Sequence, residues 1–108
     1  MQCISIQIDP SHSQGFDREK FLAQTRQVDR APEIDSYEEK GKTYLFFNFF
    51  TEFPHQLWKD LRAALYDHSD YSAVISPVSM AVYDDEDTPN EYLLLHHFNP
   101  NEPLDQLP

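Results

Sequence analysis

The sequence predicts an α+β fold, a ferredoxin-like β-α-β-β-α-β-β sandwich with two helices on one face of an antiparallel sheet. Three observations predict it. Apolar and polar residues alternate near the N-terminus, two internal segments carry apolar residues at helical spacing, and Gly41 separates two strand-like segments where a hairpin turn is needed. In such a fold the helices cover one face of the sheet and leave the other face open.

The first strand and the first helix follow from local patterns. In "QCISIQID", residues 2–9, isoleucine recurs at every second position from Ile4, so one face of the strand is apolar. Asp17 is placed as the N-cap of a helix that runs to about Val28. Phe16 and Phe21 flank that cap at the spacing of a hydrophobic staple.

A hairpin and a second helix come next. "EIDSYEEK", residues 33–40, is typical of a polar edge strand, and Gly41 allows a tight turn into the aromatic strand "TYLFFNFF", residues 43–50. Pro54 suits the first turn of a helix whose apolar residues recur every three or four positions. We expect this helix to end near His68.

The C-terminal third is predicted to be mostly strand. Residues 71–85, "YSAVISPVSMAVYDD", contain Pro77, which cannot donate a ladder hydrogen bond, so two short strands or one bent strand are expected. Residues 91–98, "EYLLLHHF", are expected to form the last strand, antiparallel to "VSMAVY". The sequence therefore predicts one domain over residues 1–98 and an extended proline-rich tail over residues 99–108.

The charge of the chain is acidic and unevenly distributed. Its 19 Asp and Glu outnumber its 8 Lys and Arg, which gives a net charge of −11. All eight basic residues lie between Arg18 and Arg62, whereas residues 63–108 carry nine acids. A surface of this kind repels nucleic-acid phosphates and anionic lipids and favours a basic protein partner. We expect neither nucleic acid nor membrane among its partners.

The cysteine content and the hydropathy indicate the compartment. Cys3 is the single cysteine, so no internal disulfide can form. No run approaches the ~20 apolar residues that cross a bilayer, and the N-terminal residues lack the pattern of a signal peptide. These features predict a cytoplasmic protein.

The aromatic strand divides its side chains between the two faces of the sheet. One set, expected under the helices, is Leu45, Phe47, Phe49 and Thr51. The other set, expected on the open face, is Tyr44, Phe46, Asn48 and Phe50. An exposed aromatic patch usually marks an interaction site. Three coverings are possible: a second copy of the chain, the C-terminal tail or the bent strand, and a different partner or an apolar ligand.

The sequence argues against RNA binding, although one strand resembles an RNA-binding strand. "KGKTYLFF" resembles the strand on which RNA-recognition motifs stack bases, and the order of elements matches as well. The first strand, "CISIQI", lacks the aromatic residue that a second stacking position needs. The net charge of −11 would also oppose the phosphates.

The residues that could carry chemistry form no recognisable motif. The chain has two glycines, too few for a glycine-rich phosphate loop. Cys3 has no neighbouring base in its predicted strand, so we expect a packing role. His96 and His97 point to opposite faces of a strand and cannot share one metal ion. Strict alternation places His96 on the same face as Tyr92 and Leu94.

The acidic run near the last hairpin is expected to be a solvated surface. It consists of Asp84, Asp85, Glu86 and Asp87. The run lacks the glycine and the distal glutamate of a calcium-binding loop. We expect no metal and no cofactor.

These observations lead to two functional expectations. The first is a small acidic interaction protein without catalytic activity, of the inhibitor, immunity-protein, antitoxin or nucleic-acid-mimic kind, which forms a homodimer through the open face and binds a basic protein. The second comes from the order of elements, which resembles that of dimeric ferredoxin-like α/β-barrel proteins, a class that includes small monooxygenases and relatives of chlorite dismutase. This resemblance implies a small-ligand binder or a monooxygenase-like enzyme with an apolar pocket lined by Tyr44, Phe46, Phe50 and His96.

Overall fold

The computed structural model describes residues 2–9, 16–28, 30–67, 70–87 and 91–107. It is an α+β fold with three short helices and one antiparallel sheet. In chain order the elements are β1 (Gln2–Ile8), α1 (Arg18–Gln24) with a 3₁₀ turn (Thr25–Gln27), β2 (Glu33–Glu39), β3 (Lys42–Thr51), α2 (Pro54–Leu61) with a π-helical turn (Arg62–Tyr66), α3 (Ser72–Ile75) with a 3₁₀ turn (Ser76–Val78), β4 (Ser79–Asp85) and β5 (Tyr92–His96).

The sheet has five strands in the order β2-β3-β1-β4-β5, and every neighbouring pair is antiparallel. β1 therefore lies at the centre, between the aromatic strand β3 and the later strand β4. β2 and β5 form the two edges. The predicted α+β class and the predicted strands β1, β2, β3 and β5 are confirmed.

The N-terminus of α1 forms as the local sequence predicts. The Asp17 side chain accepts hydrogen bonds from the backbone N–H groups of Glu19 at 2.9 Å and Lys20 at 3.3 Å. The rings of Phe16 and Phe21 lie 5.9 Å apart across this cap. The cap satisfies two donors that the first turn of a helix leaves free, and the ring pair fixes the direction of chain entry.

The β2–β3 hairpin closes with a two-residue turn. Glu39 pairs with Lys42, and between them Lys40 and Gly41 have φ angles of 54° and 78°. Both angles lie in the left-handed region, as the favoured two-residue hairpin turn requires. Glycine adopts such an angle without steric cost, so Gly41 helps to fix the register in which β3 pairs with β2.

The core forms where one face of the sheet meets residues from the helices. Ile4, Ile6, Phe47 and Phe49 are fully buried strand residues, and Phe21 of α1 packs on Phe47 with ring centroids 4.3 Å apart. The apolar residues of α2 and its π-helical turn belong to the same cluster, namely Leu57, Leu61, Ala64 and Leu65. One contiguous core therefore joins sheet and helices.

The prediction for residues 71–78 is wrong. Ser72–Ile75 form a helical turn, and Ser76–Val78 continue it as a 3₁₀ turn, so that only Ser79–Asp85 are strand. The helical turn buries Ile75 and Val78, which are three residues apart, and leaves Val74 and Pro77 exposed, whereas a straight strand would put Ile75 and Val78 on opposite faces. Tertiary burial overrides the local preference of valine and isoleucine for strands.

The C-terminal residues are attached to the edge of β5. The backbone N–H of Asp105 donates to the carbonyl of Leu94 at 2.7 Å, and the Leu94 N–H donates to the Asp105 carboxylate at 2.9 Å. Leu107 packs against the core. The expected end of the second helix near His68 lies outside the described residues; the π-helical turn ends at Tyr66.

Candidate functional site

The open face is the side of the sheet opposite the buried isoleucines of β1. The register places Cys3 across from Phe50, Ser5 across from Asn48 and Gln7 across from Phe46. Because residues directly opposite each other in an antiparallel pair share a face, the open face joins residues of β1 to the aromatic set of β3. From the remaining strands it receives Glu33, Asp35, Tyr37 and Glu39 of β2, Met80, Val82 and Asp84 of β4, and Tyr92 and Leu94 of β5.

The aromatic residues of the open face lie outside the core. Among the residues that the structure describes, Tyr44, Phe46 and Phe50 are absent from the core cluster. Phe50 is 38% exposed, and Tyr37 is 53% exposed, with its ring 6.1 Å from that of Tyr44. The alternation of β3 predicts this division, and the described segments leave these rings partly in contact with solvent.

The centre of the open face holds a buried hydroxyl group without a partner. Ser5 is 8% exposed, and its Oγ makes no hydrogen bond within the described part of the chain. The residue lies between Asn48 of β3 and Val82 of β4. A buried polar group without a partner costs free energy, so this hydroxyl lowers the stability of the sheet.

Carboxylates lie on both sides of the aromatic rings of Tyr44, Phe46 and Phe50. On β2, Glu33 lies opposite Asn48 and Asp35 lies opposite Phe46, while on β4 Asp84 lies opposite Cys3. Of the predicted acidic run, Asp84, Glu86 and Asp87 are exposed and Asp85 is partly buried. Alternation within β4 places Asp84 and Asp85 on opposite faces, and Glu86 and Asp87 lie in the turn beyond the strand. Only Asp84 therefore joins the open face.

Cys3 is in an environment that suppresses thiolate chemistry. Burial, reinforced by the nearby carboxylates of Asp84 and Glu33, raises the pKa of the Cys3 thiol to about 11. The thiolate is the nucleophilic form of cysteine. The neutral thiol therefore acts as a small apolar side chain beside Phe50.

His96 lies on the other side of the sheet from the position that strict alternation predicts. A β-bulge between Ala81 and Val82 shifts the register, so that His96 pairs with Ala81, while Leu94 pairs with Val82. The extra residue of a bulge reverses the alternation of side chains beyond it. His96 therefore shares no pocket with Phe46 or Phe50, contrary to the predicted grouping.

The surroundings of His96 keep its ring neutral. The ring stacks on Tyr66 at 4.0 Å, and its Nε2 donates a hydrogen bond to the carbonyl oxygen of Ser76 at 3.0 Å. Burial lowers the pKa of His96 below its ordinary value. Its neighbour His97 accepts a hydrogen bond from the Asn99 N–H at 2.9 Å and therefore helps to order the turn after β5.

The described residues provide no cluster of three or more His, Cys, Asp or Glu side chains that could hold a metal ion. Within the same residues no helix is long and apolar enough to span a lipid bilayer. Comparisons of the chain with protein-family models, with curated proteins and with solved structures found no match.

Proposed function

We propose that this chain is a protein-interaction domain without catalytic activity, which binds a basic partner protein through the open face. The fold that we propose for it is the ferredoxin-like arrangement, in which both longer helices lie on the opposite face. The observation that carries the proposal is the composition of the open face: the partly exposed rings of Tyr44, Phe46 and Phe50 lie between the carboxylates of β2 and Asp84 of β4.

The size of the open face suits a protein better than a small molecule. With strands about 4.8 Å apart and a rise of about 3.4 Å per residue, a five-stranded sheet of seven-residue strands presents about 570 Å². Two such surfaces bury roughly 1,100 Å², which is at the low end for specific complexes. An interface of that size favours a reversible complex over a permanent one.

The charge of the open face selects the chemistry of the partner. Glu33 and Asp35 lie at one side of the aromatic patch and Asp84 at the other. A partner that places Lys or Arg over these carboxylates and an apolar side chain over Phe50 complements both features. Electrostatic steering by the net charge of −11 would speed its association, and added salt would slow it.

A second copy of the chain is the other occupant that we propose, as a homodimer. The aromatic rings of the open face could pack against the same rings of a second copy, an isologous contact that favours this arrangement. Two copies would bring identical carboxylates and a net charge of −11 each to one interface. Because salt screens that repulsion, a homodimer would become tighter as salt is added, whereas a complex with a basic partner would weaken.

Capture from a lysate of the source cells, with two matched variants, tests the proposal. Phe50→Thr removes a ring from the open face and keeps a strand-forming residue, whereas Phe53→Thr removes a more exposed ring, 69% exposed, that precedes α2. We expect wild type and Phe53→Thr to retain the same basic protein at low salt and Phe50→Thr to lose it. Equal capture by all three forms would refute the role of the open face.

A further inference from the structure

A second concave region lies on the helix side of the sheet, between α2, β5 and the C-terminal segment. This cleft has a volume of about 610 Å³. Along α2 and its π-helical turn it is lined by His55, Trp58, Lys59, Arg62 and Tyr66, which recur at spacings of three and four residues and so share one side of the helix. The core stripe of Leu57, Leu61 and Leu65 is separate from that side.

The C-terminal segment forms a wall of the cleft and is held in place by specific contacts. Leu104 and Leu107 line the cleft, and between them Asp105 makes the two hydrogen bonds to Leu94 at the edge of β5. Leu107 also packs against the core. The wall is therefore attached at two points, by backbone pairing and by apolar packing.

Aromatic rings line the opposite wall. His96 stacks on Tyr66 with an interplanar angle of 24°, and the ring of Trp58 lies 5.9 Å from that of Tyr66. Their polar atoms are mostly occupied: the Tyr66 hydroxyl bonds Ser79 Oγ at 2.8 Å, and His96 Nε2 bonds the Ser76 carbonyl. The neutral His96 ring keeps one free acceptor, Nδ1, for which the described residues provide no partner.

The charged residues that line the cleft differ in whether they are paired. Arg62 forms an ion pair with Asp67 at 3.4 Å, and the Asp105 carboxylate accepts the Leu94 N–H. Lys59 has no ion pair with any described residue. The exposed ammonium group of Lys59 lies at the cleft together with an aromatic wall, a combination that suits an anion with a flat apolar body.

We infer that this cleft binds a small flat carboxylate, whose ring system lies against Trp58 and the Tyr66–His96 stack and whose carboxylate pairs with Lys59. The site is independent of the open face, since the two surfaces lie on opposite sides of the sheet. It differs from the pocket expected from the sequence, which grouped His96 with the rings of β3.

NMR titration of the full chain with naphthalene-2-carboxylate tests the inference. Trp58 is the only tryptophan, so its indole N–H gives one resonance that reports on the cleft. We expect saturable shifts of that resonance and of the Leu95 and His96 amides. No saturable shift at millimolar probe, or shifts centred on Phe46 and Phe50 instead, would overturn the assignment.

Charge recognition is tested with a variant and a neutral probe. Lys59→Gln should weaken binding about five-fold, since one partly exposed ion pair contributes on this scale, while Lys20→Gln, an exposed lysine in α1, should leave it unchanged. Naphthalene-2-methanol should bind wild type about as weakly as the carboxylate binds Lys59→Gln. Equal affinity for both probes, or no effect of Lys59→Gln, would show that the cleft does not select carboxylates.

Discussion

Two buried serines on opposite sides of the sheet have opposite hydrogen-bonding states, which leads to opposite predictions for their removal. Ser5 Oγ has no partner among the described residues. Ser79, fully buried, donates from Oγ to the carbonyl of Ile75 at 2.7 Å and is 2.8 Å from the Tyr66 hydroxyl. Because the Ser79 proton points to Ile75, the Tyr66 hydroxyl is the donor to Ser79.

The expected free energies follow from this difference. Ser5→Ala removes a desolvated hydroxyl that has lost its water and gained nothing, so the free energy of unfolding should rise by about 1 kcal/mol. Ser79→Ala deletes two hydrogen bonds and leaves the Tyr66 hydroxyl without its acceptor, so the free energy of unfolding should fall by about 2–3 kcal/mol. For a domain of this size, 1 kcal/mol corresponds to a change in Tm of about 4 °C.

Urea denaturation followed by the fluorescence of Trp58 measures both effects. The m-value should stay constant, since neither variant changes the surface exposed on unfolding, and the two midpoints should move in opposite directions. A Ser5→Ala variant that is less stable than wild type would contradict the reasoning. Its hydroxyl would then be satisfied in solution.

Four further predictions concern single residues. Asp17→Ala should lower the free energy of unfolding by about 1 kcal/mol through loss of the α1 cap, measurable by urea denaturation, with Asp17→Asn largely restoring it. Gly41→Ala should lower the free energy of unfolding by about 1 kcal/mol. The φ of 78° is the sole cause, because an added Cβ meets no atom within 4 Å. An unchanged urea midpoint would contradict this backbone strain. Cys3, with its pKa raised from 9.0 to about 11, should react with a disulfide reagent at pH 8 far more slowly than a free thiol does, and equal rates would contradict its burial. The pKa of His96 is lowered below 6.5 in the folded state, so at acidic pH the unfolded chain binds this proton more readily than the folded chain. The free energy of unfolding should therefore fall as the pH decreases below about 6.5. His96→Phe should flatten that part of the pH profile.

The elements that short-range patterns define are the ones the sequence predicts well. The cap at Asp17, the turn at Gly41 and the alternation of β3 each depend on neighbours within a few residues. The two faces of β3 follow directly from that alternation, so the aromatic part of the open face is visible in the sequence. The strand order then places Ser5 beside Asn48.

The features that the sequence does not reveal depend on long-range packing. Nothing in "EYLLLHHF" indicates a bulge in the pairing of β4 with β5, yet that bulge moves His96 to the face of the buried isoleucines of β1. Residues 72–75 contain strand-forming Val74 and Ile75 but form a helical turn, which lets Ile75 and Val78, three residues apart, both enter the core. The pairing of Asp105 with Leu94 joins residues 11 apart, and the turn at Asn99 and Pro100 does not indicate which group Asp105 meets.

Site-specific photo-cross-linking in the source cells tests the interaction surface most directly. The photoreactive residue p-benzoylphenylalanine is placed at Phe50, on the open face, or at Phe53, which is off that face and more exposed, 69% against 38%. Our account predicts one discrete adduct from position 50 and none from position 53, with the adduct mass distinguishing a basic partner from a second copy of 12.7 kDa. No adduct from position 50, or the same adducts from position 53, would contradict the claim that the open face is where this protein binds its partner.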